Sequence, residues 1–308
     1  MIAFHLPLNP KFSDLANLFL QWSEEIHDKK TTGAYRHYFQ SFEKSVGNVE
    51  LSEIVPARLK LWAKTWHRAA AVKRLFAWGH VEARVIASNP VDQFPLPTRG
   101  KRRRVASRGE VALMLRRSRR DLRELLIAYR ETFARPGEMR RVQWEDLRFT
   151  EATKTPEENL ADGNAYLLLH EFKDATKRIH ADAVRVILIS PRLGRLMIRL
   201  RRVSPGASGV IFQTRRGKTW TPNALRCRMR RLRARSGIVR DGRGETIVPY
   251  TFRHTGATIC AAAGVRDRQL ADLLGHVETR TTARYVHLSP DDLRRGLFTA
   301  GIWGRRKM

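Results

Sequence analysis

The chain is 308 residues long, with 59 lysines and arginines against 30 aspartates and glutamates, a formal net charge of +29. That length accommodates two domains with separate cores, and 42% hydrophobic residues mark a globular protein. No apolar run reaches the roughly 18 residues of a membrane helix and the first twenty residues lack a signal-peptide pattern, whereas the basic excess points to a polyanionic partner, bound by release of phosphate counterions.

Residues 13–27 read as an amphipathic helix that Ser13 or Asp14 can cap, with Leu15, Leu18, Phe19, Trp22 and Ile26 inward. Tyr35, Tyr38, Phe39, Phe42 and Val46 recur at helical spacing up to Gly47. Pro56 starts a third helix to about Lys64, and a fourth over 66–87 carries Val72, Leu75, Phe76 and Val81 before Asn89-Pro90 stops it. These aromatics are expected in a core rather than as stacking platforms for bases. Residues 1–94 thus predict a small all-helical domain. Residues 95–106 form a linker stiffened by Pro95 and Pro97, and its basic run Lys101, Arg102, Arg103, Arg104 suits a strap along a phosphate backbone.

A second domain, 107–308, opens with a capping box, Ser107 and Glu110, before Val111, Leu113 and Leu115. A helix over 121–133 turns Leu122, Leu125, Leu126 and Tyr129 inward. Arg135 precedes Pro136 at the start of another helix, where the helix dipole favours an anion. Residues 150–164 read as a polar loop, and 165–172 and 184–190 as two strands. A helix follows over 191–203, and 209–213 is a short buried stretch. Thr221-Pro222 starts a helix with six arginines in ten positions, too many for one face. Of these, Arg226 and Arg230 are candidates for DNA contact. Cys227 and Cys260 have neither metal nor redox spacing and are expected to be inert thiols in a reducing compartment.

The stretch 250–287 carries the chemistry. It reads as three short helices with two breaks: Arg253 opens the first and Gly264 caps it. Asp267 can cap the second, in which Leu270, Leu273 and Leu274 form an apolar face up to Gly275-His276. Thr279 or Thr281 starts a third containing Tyr285. Arginine can hold phosphate bidentately, histidine can donate a hydrogen bond or move a proton, and a tyrosine hydroxyl can attack as a nucleophile.

The run R-H-T, then L-G-H, then Tyr285 nine residues on resembles the C-terminal signature of tyrosine recombinases, the phage integrase family. Arg135 with Glu138, followed by Val142, Trp144 and Asp146, resembles the family's first-arginine motif. The resemblance implies a mainly α fold with a small β-hairpin or sheet: a helical, SAM-like core-binding domain followed by an α+β catalytic domain. It implies Arg135, Lys173, Tyr250, Arg253, His276 and Tyr285 as catalytic positions. Lys173 matches the lysine of the family's hairpin, with Lys177 as the alternative. Tyr250 stands where the family has histidine, and a phenol with a pKa near 10 is a poor base at neutral pH. It also implies a site-specific recombinase or integrase that joins double-stranded DNA through a 3′-phosphotyrosyl link, as a homotetramer. An accessory DNA-binding relative and a type IB topoisomerase are the competing readings. No motif for a nucleotide or metal cofactor is present, so neither is expected, nor is a small-molecule substrate. The expected location is cytoplasmic, on the nucleoid.

Overall fold

The computed structural model describes residues 5–98, 104–170, 184–203 and 208–275, together with Arg294, Leu297, Phe298, Ile302 and Trp303. The chain divides into two compact units, Met1–Lys101 and Arg102–Met308.

The first unit is helical: α1 (Phe12–Ile26), α2 (Lys29–Val46), α3 (Pro56–Trp62) and α4 (Trp66–Ala77), which runs on into one π turn, Trp78–Glu82. Phe12 is fully buried, and this pulls the first turn of α1 forward of the expected cap. Asp14 then sits in that turn and accepts a hydrogen bond from the Lys11 backbone N–H at 2.8 Å. Phe12, Phe19, Phe39, Phe42, Phe76 and Trp78 fill the core, with Phe19 edge-on to Trp78 at 5.4 Å. Two expected core residues are outside it: Ile26 and Val81 are 53% and 65% exposed. Each lies at the end of its helix, beyond the last turn that faces a neighbour.

In the second unit α5 (Arg108–Arg117) starts at the Ser107–Glu110 capping box, both bonds of which form. Met114 is the buried residue of its middle turn, while Leu113 is only half-buried. Then come α6 (Arg120–Thr132), α7 (Pro136–Met139), a 3₁₀ turn at Trp144–Asp146 and β1 (Leu147–Phe149). The stretch expected to be a loop contains α8 (Pro156–Asp162). Its start is a complete capping box between Thr155 and Glu158, and its end is Gly163 in the left-handed region. β2 (Ala165–Leu169) and β3 (Arg185–Ile189) complete a three-stranded antiparallel sheet in the order β1-β2-β3, with Leu167 opposite both Leu147 and Ile187. α9 (Pro191–Val203), α10 (Pro222–Ser236), α11 (Pro249–Ala262) and α12 (Asp267–Leu274) follow.

The sheet has two apolar faces, as the period-2 alternation of a strand allows. Leu167, Ile187 and Ile189 enter the main core with Leu125, Leu126 and Tyr129 of α6. Val186, Leu188 and Tyr166 join a smaller cluster with Phe133, Cys260, Leu273 and Leu274, which seats α11 and α12 on the sheet. The second unit is therefore helical around a small antiparallel sheet. No described helix is long and apolar enough to cross a membrane.

Cys260 is fully buried in the smaller cluster, and burial pushes its thiol up to about 11. At pH 8 about one molecule in a thousand would carry the reactive thiolate. Cys227 is half-buried on α10. Alkylation of the folded protein with iodoacetamide, followed by peptide mass analysis, should label Cys227 well before Cys260, and the order should vanish in denaturant.

Candidate active site

Two arginines distant in sequence come together here. The first, Arg135, is the N-cap of α7, with Pro136 in the first turn. Arginine has no acceptor with which to cap the exposed N–H groups, so Glu138 supplies the carboxylate from within the turn. It accepts from the Arg135 backbone N–H at 2.8 Å and from its guanidinium at 3.0 Å. Glu138 is buried and acts to support Arg135.

The chain reaches Arg135 through Phe133, which closes α6 in the left-handed region at φ 53°. For a bulky residue that conformation is strained, by about 1–3 kcal/mol. Its ring lies against Gly256 of α11, where an added Cβ would be 1.8 Å from Phe133 Cδ1. The turned backbone aims the Phe133 carbonyl at the second arginine: Arg253 Nη1 donates to it at 3.1 Å.

Arg253 sits one turn inside α11, whose first turn begins with Pro249 rather than at Arg253 itself. Tyr250 precedes it by three residues, hence on the same helix face. Tyr250 is 46% exposed, while Arg253 is 3% exposed. Burial, and next to it the charge of Arg135, pull the pKa of Arg253 down, while Tyr250 and Glu138 act in the opposite direction. Arg135 and Tyr250 are thus both close enough to Arg253 to act on its charge.

A helix end joins these parts. The last carbonyls of an α-helix lack partners inside the helix. At the end of α12 nearly all are taken up by side chains from elsewhere. Arg185, the first residue of β3, donates to Asp272 O at 2.9 Å and Leu273 O at 2.6 Å. Arg253 donates to Leu274 O at 2.5 Å, and Arg135 to Gly275 O at 3.0 Å. The Gly275 N–H serves Ala271 and Asp272. Gly275 is required here twice over: its φ is 64°, and an added Cβ would lie 2.5 Å from Arg185 Nε. The negative end of the helix dipole also favours this ring of cations. Burying a guanidinium costs several kcal/mol, and a hydrogen bond from a charged donor returns about 1.5–3 kcal/mol. Arg185, 2% exposed, is retained inside by its carbonyl partners, which include Val186 O at 2.8 Å.

Of the expected catalytic positions, Arg135, Tyr250 and Arg253 are therefore brought together. Lys173, Lys177, His276 and Tyr285 lie outside the described residues, although His276 is the next residue in sequence after Gly275. Arg185 escaped the sequence reading. The one available signal was a charge inside the apolar run V-R-V-I-L-I.

Among the expected DNA contacts, Lys101, Arg102 and Arg103 are also outside the described residues. Arg104 is fastened to its own unit: its N–H donates to Glu245 at 2.6 Å, and its guanidinium pairs with Glu110 and lies 3.9 Å from Asp241. On α10, Arg226 and Arg230 are exposed one turn apart, with Arg226 braced by Asn223 at 2.7 Å. Arg233 instead donates to Ile247 O at 2.8 Å and is structural.

A helical unit with a three-stranded sheet and three arginines clustered at a helix end defines a class, and comparison with known proteins identifies it. Residues 116–291, more than half of the chain, match the phage integrase family. The chain belongs to that family. Tyrosine recombinase XerC of Rhodospirillum centenum is 31% identical over 102 residues, 33% of this chain and 28% of the relative. The match thus spans less than a third of that relative's length. The fold is shared with a lambda integrase tetramer bound to a Holliday junction, with a TM-score of 0.67 at 16% identity over 91% of this chain and 81% of the other. It is shared too with the Tn1549 transposon integrase in complex with transposon right end DNA, with a TM-score of 0.68 at 16% identity over 93% and 98%.

The contact of Phe133 with Gly256 can be tested through stability. Gly256→Ala should lower the unfolding free energy in urea by about 1–3 kcal/mol, as overpacking does. Gly33→Ala, in the second turn of α2 with open space around it, should raise it by about 0.5–1 kcal/mol, because the alanine loses less entropy on forming a helix.

Proposed function

We propose that the chain is a site-specific DNA recombinase that integrates or excises a mobile element, working on double-stranded DNA as a tetramer around two duplexes. The observation that carries this reading is the convergence of Arg135 and Arg253 on neighbouring carbonyls of one helix end, a pair of guanidinium groups of the kind that holds a phosphodiester. Family membership supports it, as does the net charge of +29. The tetramer is inferred by analogy with the lambda integrase assembly on a Holliday junction.

In this mechanism the Tyr285 hydroxyl attacks the scissile phosphorus and releases its proton to water. The new P–O bond forms a 3′-phosphotyrosyl link as the bond to the 5′-oxygen breaks. Lys173, or Lys177 in its place, gives that oxygen its proton, so a free 5′-hydroxyl leaves. Arg135 and Arg253 hold the non-bridging oxygens, on which charge builds in the transition state. His276 and Tyr250 add hydrogen bonds to the same oxygens. The 5′-hydroxyl of a partner strand then reverses the attack and frees Tyr285, so phosphodiester number is conserved and no energy source is needed. Arg226 and Arg230 would contact the duplex, with Lys101, Arg102 and Arg103 along its backbone. Arg104, already paired within its unit, would anchor that strap.

A nicked suicide substrate run on a denaturing gel tests the nucleophile. The unaltered chain should give a covalent protein–DNA band that depends on a defined site, and Tyr285→Phe should bind the DNA and give none. A band from the Phe variant would overturn the assignment, and relaxation of any supercoiled plasmid would favour a topoisomerase instead.

The role of Tyr250 is tested by rate. Loss of one transition-state donor typically costs about 10²–10³ in rate. Tyr250→Phe should therefore slow cleavage by a large part of that factor with DNA affinity unchanged, and Tyr250→His should keep appreciable activity. Cleavage by the Phe variant at the parental rate would remove Tyr250 from the site.

A further inference from the structure

Arg185 is far from both clustered arginines in sequence, yet shares one small scaffold with them. It donates to Asp272 O and Leu273 O, while the next two carbonyls in the chain, Leu274 O and Gly275 O, are the acceptors of Arg253 and Arg135. Four consecutive carbonyls are thus held by three guanidinium groups from β3, α11 and the start of α7. A shift of the α12 end would move the acceptors that orient both Arg135 and Arg253. Arg185 is 2% exposed, whereas the Arg135 side chain is 17% exposed. The Arg185 fork spreads two Nη atoms over carbonyls on two strands of the chain, Val186 and the α12 end, a geometry that one ammonium cannot reproduce.

We infer that Arg185 is a positioning residue for the phosphate clamp: by fixing the carbonyl end of α12 it sets the orientation of Arg253 and Arg135. The inference rests on the recombinase reading above and adds a residue to it that does not touch DNA.

The test uses the full-length chain and two suicide substrates with the same recombination site. One has the ordinary scissile phosphodiester. The other has a methylphosphonate there, in which an uncharged methyl replaces one non-bridging oxygen and removes the charge that the arginines stabilise. Arg185→Lys keeps a cation of similar length but not the fork. It should bind the site within about twofold of the unaltered chain and cleave the diester about tenfold to a hundredfold more slowly. Relative to the unaltered chain, its defect on the methylphosphonate should shrink to about threefold or less. An equal slowing on both substrates, or affinity lost in step with rate, would mean general structural damage and would overturn the inference, as would cleavage of the diester at the parental rate. Should Arg185→Lys not fold, Gly275→Ala keeps the arginine but forces its guanidinium to shift, since an added Cβ would lie 2.5 Å from Nε, and the same substrate dependence is expected of it. Absence of a covalent band from the unaltered chain on the diester would instead overturn the recombinase reading itself.

Discussion

The carbonyl end of α12 is the constraint on which the second unit depends. A helix end with open carbonyls is a local liability in a buried place. Here it serves as a common acceptor for arginines from three elements that are separate in sequence. Arg185 ties it to the sheet, Arg253 to α11 and Arg135 to the start of α7. Because each donor is a rigid planar fork, the bonds fix direction as well as distance. The smaller apolar cluster beneath, with Leu273, Leu274, Cys260 and Leu188, supplies the packing that such polar bonds need in order to persist.

The same arrangement carries an electrostatic cost. Arg253 is buried beside another cation, and both conditions act against its charge. Glu138 supports Arg135, and Tyr250 acts on Arg253 in its favour, so the cluster is held together while remaining positive. An anion brought to such a place meets donors already oriented, and little reorganisation is needed when charge develops on it. The strained turn at Phe133 belongs to the same design. Its left-handed backbone directs a carbonyl at Arg253, and only a glycine at 256 admits its ring. Strain of this kind persists where the surrounding packing over-determines it.

Much of the local structure was legible in residue order. Ser107 with Glu110 marked a helix start, Pro136 placed Arg135 at a helix N-terminus, Thr221-Pro222 opened α10 and Gly275 closed α12. These signals act through bonds within four residues of one another. The same kind of signal stands at Thr155, Glu158 and Gly163, in a segment whose polar composition reads as a loop. α8 forms around buried Asn159 and Leu160 and packs on α9. Ile26 and Val81 are placed inward by periodicity alone. Periodicity names a face, and the neighbour decides how far along the helix that face is covered.

Sequence by itself therefore determined the helical character, the basic charge, the caps and the motif residues from Arg135 to Tyr285, since each depends on residue type and short spacing. The tertiary structure alone decided that Arg135 and Arg253 share the carbonyls of one helix end, and that Arg104 and Arg233 serve the protein's own fold while Arg226 and Arg230 remain exposed. It alone showed that Arg185 belongs with the clustered arginines. The physical reason is that an arginine's partner is chosen by whichever acceptor folding brings within about 3 Å. For Arg185 that acceptor lies 87 and 88 residues away, a separation over which residue order carries no sign of contact.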